Sequence, residues 1–502
     1  MDFNWKTLQN GSDIRGVAIE GVKGEKVNLD EQRVNQLGRS FYAWLLSKTE
    51  GQKTVAIGTD SRISGPSLKK SFAEGIVAMG GNVIDCGLAS TPAMFMTTKA
   101  PDLDVDAGVM LTASHLPFNR NGLKFFTPEG GLNKNDIKEI IQIAEEDATL
   151  GDNDKPGNLS AFHFIEKYAM HLVNIIRSRV DDPGNDQQPL SGLKIIVDAG
   201  NGAGGFFVDK VLKPLGADVE GSQFLDPDGM FPNHIPNPEN DEAMESICRA
   251  VRDNQADLGI IFDTDVDRAA VVDRNGNPIN RNALIALMSA IILEEYPGST
   301  IVTDSVTSDG LTVFIEKVLK GKHHRFKRGY KNVIDEAIRL NKRGIDSHLA
   351  IETSGHAALK ENYFLDDGAY LVALVLVKMA KLKSEGATIE ELIKKLKQPV
   401  ESKEFRLSLS TADHVKTGSA ILETLTEITD NQEGWALVEP NYEGIRVKCN
   451  EENGWFLIRQ SLHDPLLVLN VESDRTGGSR KIANQLKKIL SNFTDLDISG
   501  LE

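Results

Sequence analysis

Three aspartates stand at alternate positions in LGIIFDTDVDRAAVVD (258–273): Asp263, Asp265 and Asp267, followed by Arg268. Three hard oxygen ligands at that spacing suit Mg2+. In a straight strand Asp263 and Asp267 would lie ~13 Å apart. Ligands of one Mg2+ lie within ~4 Å of one another, so the segment is expected to curl. An EF-hand calcium loop does not fit, because Arg268 takes the place of its Gly and Arg274 that of its closing Glu. A solvated acidic turn is the plain alternative, but carboxylates so close repel unless a cation neutralises them.

Three further stretches carry reactive side chains. In DAGVMLTASHLPFNRNGLKFF (106–126), the apolar GVML runs into a Thr-Ala-Ser-His turn. Ser114 is expected to be exposed on that loop, where a nucleophile belongs. Ser114 and His115 are adjacent, so their side chains are expected to diverge, which argues against a simple Ser–His dyad. Lys124 follows Asn121-Gly122 and can return to the same loop. Taken alone, Thr112 and Ser114 also read as hydroxyls that satisfy turn amides. In HLAIETSGHAALKENYFLDDG (348–368), Glu352 and Ser354 can bond vicinal sugar hydroxyls and His356 can move protons. An ordinary strand-to-helix turn fits that spacing too. In WFLIRQSLHDPLLVLNVESD (455–474), Arg459, Ser461 and His463 alternate and can face one side as a phosphate clamp. Arg446 is a further candidate there, and a strand with one solvated Arg reads equally well.

The elements that must position these residues follow one design. VAIGTD (55–60), KIIVDAGNG (194–202) and TIVTDS (300–305) are apolar runs ending in Asp and a small turn, each followed by an amphipathic helical stretch. That alternation predicts three similar parallel-sheet α/β domains with binding loops at the strand ends. GDNDKPGN (151–158) reads as a linker, and DRNGNPIN (273–280) as a turn between domains. From about 400, alternating charged and apolar residues and a helix near 479–490 predict a smaller α+β domain. The expected divisions are 1–157, 158–277, 278–398 and 399–502.

Bulk properties narrow the class. A chain of 502 residues is too long for one core. Its 73 acidic against 56 basic residues give a formal net charge of −17. That charge argues against nucleic acid or anionic membrane as partners. Cys86, Cys248 and Cys449 have no metal or disulfide spacing. The N-terminal residues show no apolar secretory core, and no run approaches a membrane span. A cytoplasmic protein is expected.

Taken together, in this order and spacing, the four stretches resemble the α-D-phosphohexomutase superfamily of phosphoglucomutases, phosphomannomutases and phosphoglucosamine mutases. GSDIRG (11–16) and TDSRISGPSL (59–68) extend the resemblance toward the N-terminus. It implies four domains around a central cleft, three α/β and alike. It implies a phosphoserine at Ser114 that ligates Mg2+ together with Asp263, Asp265 and Asp267. Arg15, His115, Lys124, Arg268 and His356 match catalytic positions. Glu352, Ser354, Gly329, Tyr330, Arg459, Ser461 and His463 match substrate-binding ones. Hexose mono- and bisphosphates are the implied ligands, and a monomer or homodimer is expected.

Several positions depart from the family pattern. Leu116 replaces Asn in the serine loop, and Ile351 replaces a common Gly before Glu352. Thr264 and Val266 replace glycines in the metal loop. A β-branched Val resists left-handed backbone, so that loop is expected to curl without it. In the last domain, Leu462, His463 and Val468 stand where a small or amide residue, Thr and a second Arg are usual. Asp464 would repel a phosphate if it pointed inward. These changes resemble a branch that releases glucose 1,6-bisphosphate, with fructose 1,6-bisphosphate as phosphoryl donor. The expected function is therefore that synthase. A reversible mutase is the alternative, and a non-catalytic sugar-phosphate sensor the reading of another class.

Overall fold

The computed structural model describes residues 3–48, 50–146, 151–180, 187–411, 413–461 and 464–501. By compactness the chain forms two units, one of residues 1–291 with 354–392, the other of 292–353 with 393–502. These units cut across the expected 278–398 segment.

In the first unit, the strands Thr54–Thr59, Asn82–Leu88, Ala107–Leu111 and Leu159–Ala161 run parallel. The sheet is mixed, however, because Arg120–Thr127 pairs antiparallel with both Ala107–Leu111 and Asp13–Val17. That hairpin sets the Ser114 loop between two central strands. Helices Glu31–Lys48 and Gly65–Ala78 cover one face, with Phe41, Phe72 and Phe125 in mutual ring contact beneath them. The helices approach closely at Gly38, where an added Cβ would lie 2.3 Å from the Phe72 carbonyl oxygen.

A second sheet pairs Leu258–Phe262 parallel with Ile195–Asp198 and antiparallel with Ala269–Asp273. The Asn275-Gly276 turn closes a hairpin onto Pro278–Ile279 in this same sheet. Helix Arg281–Glu295 follows. The expected amphipathic helix after KIIVDAGNG is replaced by a π-helical turn, Val208–Leu212, and a 3-10 turn, Lys213–Leu215. Pro214 lacks an amide hydrogen and cannot sit inside a regular helix. Helix Gly368–Ser384 is buried along nearly its whole length, and a fully buried helix shows no amphipathic stripe.

In the second unit, Lys322–Arg325, Thr300–Thr303 and Ser347–Ile351 are parallel neighbours. The stretch after TIVTDS is again short, an α-helical turn Asp309–Val313 running into a π-helical turn Phe314–Val318. A separate antiparallel sheet runs in the order Glu401–Ser408, Leu466–Ser473, Gly454–Gln460, Ile445–Cys449, Trp435–Leu437. Helices His414–Asn431 and Gly478–Leu490 close a core containing Leu425, Val447, Phe456, Leu469 and Leu486. This is the expected α+β region. Among the described residues, no helix is long and apolar enough to cross a membrane.

Candidate active site

The aspartate loop connects two antiparallel neighbours, with Phe262 opposite Ala269. So short a connection has to curl. One carboxylate oxygen each from Asp263, Asp265 and Asp267 lies within 4.8 Å of the other two. All three side chains are buried. The curl does use left-handed backbone at Val266, whose φ is +67°, contrary to the expectation for a β-branched residue. Burial of its side chain and a bond from the Gly368 amide to the Val266 carbonyl (3.1 Å) hold that strain.

Oδ1 of Asp265 and Oδ1 of Asp267 have no hydrogen-bond partner among the described residues. Buried acceptors left unsatisfied are costly. The donor set is all hard oxygen, so these residues fit Mg2+. Burial, and then the charge of Asp267, pushes the Asp263 carboxyl well above its ordinary range. Asp267 is also buried, but Lys124, His356 and Arg268 outweigh that and hold it low.

Ser114 lies against this loop. It is buried, 4% exposed, and not exposed as the sequence suggested. Its φ of +51° turns the side chain inward. Oγ donates to Asp263 Oδ2 at 3.1 Å and accepts from Arg268 Nη2 at 3.1 Å. It also lies 3.3 Å from His115 Nδ1, so the neighbours do not diverge. That pair is still no base dyad. Burial, then Arg268 and Arg15, push the His115 imidazole down to about 2. Nδ1 accepts instead from Arg268 Nη2 at 2.7 Å. Arg268 also bonds Asp263 through Nε (3.1 Å) and Asn237 through Nη1 (3.2 Å). Burial opposes its charge, but Asp263 and Asp267 raise its pKa above the usual value.

Lys124 donates to Asp265 Oδ2 at 3.2 Å and to Asp267 Oδ2. His356 Nδ1 lies 2.5 Å from Asp366 Oδ2 and 3.9 Å from Asp267 Oδ1. Burial lowers the imidazole's pKa, but the two carboxylates win and raise it to about 9. Arg15 lies opposite Gly122 in the sheet and pairs with Asp13 at 3.0 Å. Its charge contributes to holding the His115 imidazole low. Ser354 is buried in the turn before Ala357–Leu359.

The second unit holds the remaining candidates. Glu352 is buried and accepts from the Gly329 amide at 2.6 Å. Gly329, at φ +113°, caps helix Tyr330–Lys342, so the carboxylate sits where a helix N-terminus favours negative charge. Tyr330 is the first residue of that helix and half-buried. Arg459 lies on strand Gly454–Gln460, is buried, and stands 3.9 Å from Glu443. Ser461 Oγ accepts from the Asp464 amide at 3.2 Å. Asp464 is exposed. Leu462 and His463 lie outside the described residues. Arg446 is not a free clamp. It donates to the carbonyls of Ser305 (2.9 Å) and Thr307 (3.0 Å) and to Asp309 (3.0 Å), and stacks 3.5 Å from the Trp455 ring centroid.

The chain is similar to known proteins. Models of phosphoglucomutase/phosphomannomutase α/β/α domains I, II and III match residues 6–150, 166–276 and 280–400. The phosphomannomutase/phosphoglucomutase of Pseudomonas syringae pv. tomato is 31% identical over 98% of this chain and 97% of its own. The chain belongs to the phosphoglucomutase/phosphomannomutase family. A phosphoglucomutase of Neisseria meningitidis is 29% identical over 95% of this chain and 96% of its own. A solved structure of a phosphoglucomutase/phosphomannomutase family protein from Burkholderia thailandensis is 25% identical. It superposes with a TM-score of 0.77, covering 96% of each chain. The protein is thus a phosphohexomutase-superfamily enzyme of three α/β/α domains and a further C-terminal domain.

Motif spacing in this phosphohexomutase missed four residues that support the named ones. Thr91 Oγ donates to Asp265 Oδ2 at 2.5 Å, and its amide to the Asp265 carbonyl at 2.8 Å. Asn237 holds Arg268. Asp366 orients His356. Arg62 holds the Ser114 loop. Asp366 and Arg62 stand inside motifs already singled out, but nothing local shows what they touch. Thr91 and Asn237 carry no sequence signal.

Proposed function

We propose that this chain is a reversible phosphohexomutase that moves a phosphoryl group between the 1- and 6-positions of a hexose through Ser114. One observation carries the reading. Ser114 Oγ lies 3.1 Å from Asp263, inside a buried triad of carboxylates with orphaned oxygens. Mg2+ held by Asp263, Asp265, Asp267 and the serine oxygen would offset charge on the transferring group.

This chain's residues do the positioning. Arg268 holds Ser114 Oγ from one side and Asp263 from the other. In the first half-step the phosphorus–Oγ bond breaks as a bond to the sugar hydroxyl oxygen forms, giving a hexose 1,6-bisphosphate. The attacking hydroxyl gives up a proton. His356, steadied by Asp366, is placed to exchange protons there, and with a pKa of about 9 it accepts one only from its neutral form, the minor form at neutral pH. After the bisphosphate reorients, Ser114 recovers the other phosphoryl group. Lys124 and Arg15 add positive charge, and neutral His115 keeps the Arg268 fork in place. Glu352, Ser354, Gly329, Tyr330, Arg459 and Ser461 are proposed to bind sugar hydroxyls and the non-reacting phosphate.

The mutase reading stands ahead of bisphosphate synthesis because the full-length relatives are named phosphoglucomutases and phosphomannomutases. Two of the positions that suggested a synthase, Leu462 and His463, lie outside the described residues. With Mg2+, glucose 1-phosphate and catalytic glucose 1,6-bisphosphate, rapid formation of glucose 6-phosphate is expected. Stoichiometric glucose 1,6-bisphosphate from fructose 1,6-bisphosphate and glucose 6-phosphate, without interconversion, would restore the synthase. Ser114→Ala should abolish turnover in either case.

A further inference from the structure

Arg62, inside TDSRISGPSL, has no part in the chemistry above, yet it is 1% exposed. Burying a guanidinium is costly unless its donors are used. Here they are used on one loop. Nη2 donates to the carbonyls of Ser114 (2.5 Å) and Leu116 (2.6 Å). Nη1 donates to those of Pro117 (2.7 Å) and Arg120 (2.9 Å). These four acceptors run from the serine itself to the first residue of the next strand. Asp60 fixes the arginine in turn: Oδ1 accepts from the Arg62 amide at 2.9 Å, and Oδ2 lies 3.3 Å from Nε.

The loop needs such a clamp. Ser114 has φ +51°, a strained conformation for a non-glycine residue. That rotation aims Oγ at Asp263 and Arg268. It also turns the Ser114 carbonyl to Arg62.

We propose that Arg62 is a positioning residue for the nucleophile: its planar fork gathers four loop carbonyls and so holds Ser114 in the left-handed turn that aims Oγ at Asp263. The proposal rests on Ser114 being the phosphoryl carrier. A lysine has one compact ammonium and cannot span four carbonyls, so it is not a substitute.

The test uses the full chain with Mg2+. Arg62→Lys and Arg62→Ala are compared with wild type for glucose 1-phosphate conversion, thermal midpoint and near-ultraviolet circular dichroism. Misplacing a reacting group by an ångström costs about 100-fold in rate. Arg62→Lys is therefore expected to stay folded and to lose about 100-fold in kcat. Its KM should stay within about threefold, because sugar-phosphate contacts are untouched. Millimolar guanidinium should restore part of the Arg62→Ala rate and leave Arg62→Lys unchanged. A folded Arg62→Lys with wild-type kcat overturns the proposal, whether or not Arg62→Ala folds. So does a folded Arg62→Ala that guanidinium does not rescue. Labelling wild-type Ser114 from phosphorus-labelled glucose 1,6-bisphosphate tests the underlying reading separately. Labelled wild type with an indifferent Arg62 refutes only the clamp, whereas unlabelled wild type refutes the carrier and the clamp with it.

Discussion

Thr91 donates its hydroxyl to Asp265 Oδ2 and its amide to the Asp265 carbonyl, leaving Oδ1 of that carboxylate without a hydrogen-bond partner among the described residues. A group that orients a ligand typically controls 10- to 100-fold in metal affinity. Thr91→Val keeps the shape and removes the hydroxyl. It is expected to weaken Mg2+ binding by about tenfold or more, read by calorimetric titration, with little change in thermal midpoint. His356 gives a second prediction at this scale. Its pKa is raised to about 9, chiefly by Asp366 and Asp267 acting against burial. A histidine with a raised folded pKa adds stability that is complete below about 6.5 and is lost as pH rises through about 9. In metal-free protein the His356 ring resonances should titrate near 9, and Asp366→Asn should move that midpoint toward 6.5. A midpoint unmoved by Asp366→Asn would mean that the carboxylate does not set the charge.

At the scale of elements, the site depends on two tight connections. One joins Ala107–Leu111 to Arg120–Thr127 and the other joins Leu258–Phe262 to Ala269–Asp273. Each carries a non-glycine residue at positive φ, Ser114 and Val266. Strain of that kind persists where surrounding packing over-determines it. The helix pair behind the first sheet supplies part of that rigidity. Gly38→Ala would set a Cβ 2.3 Å from the Phe72 carbonyl oxygen, a backbone atom that cannot swing away. Overpacking of this sort costs about 1–3 kcal/mol. Urea unfolding of Gly38→Ala is expected to show that loss, while a substitution as stable as wild type would mean that the helices separate freely.

At the scale of the whole molecule, the chain carries −17 yet gathers Arg15, Lys124 and Arg268 around one serine. Positive charge is thus local, which suits a small anionic substrate and not a polyanion. The second unit contains its own buried titratable cluster. Glu472 is pushed up to about 7 by burial, against the pull of Arg446. Its folded pKa lies above the unfolded 4.5, so the folded state binds the proton more tightly. The associated stability is complete below about 4.5 and falls as pH rises to about 7, by roughly 3 kcal/mol at most. Hydrogen exchange of amides in Ile445–Cys449 should quicken over that pH range. Glu472→Gln should flatten the dependence, and an unchanged slope would assign it to another group.

The sequence by itself determined most of the strands, though not the short π-helical turns that follow two of them, and it pointed to a candidate ligand set. Apolar runs ending in Asp mark strands, because a buried strand must be apolar and must end in a polar turn. Asp263, Asp265 and Asp267 were legible as a candidate cation site, because close carboxylates demand a counter-charge. Local rules also reached their limits. Adjacency suggested that Ser114 and His115 diverge, and β-branching suggested that Val266 avoids left-handed backbone; both expectations gave way to burial and long-range hydrogen bonds. Arg446 looked like a phosphate clamp, because a strand pattern cannot show that distant carbonyls and a tryptophan already occupy it. Tertiary structure alone decided that Arg62, Thr91, Asn237 and Asp366 support the site. Their partners are far off in sequence in most cases, and a contact of that kind leaves no periodicity or spacing in the chain.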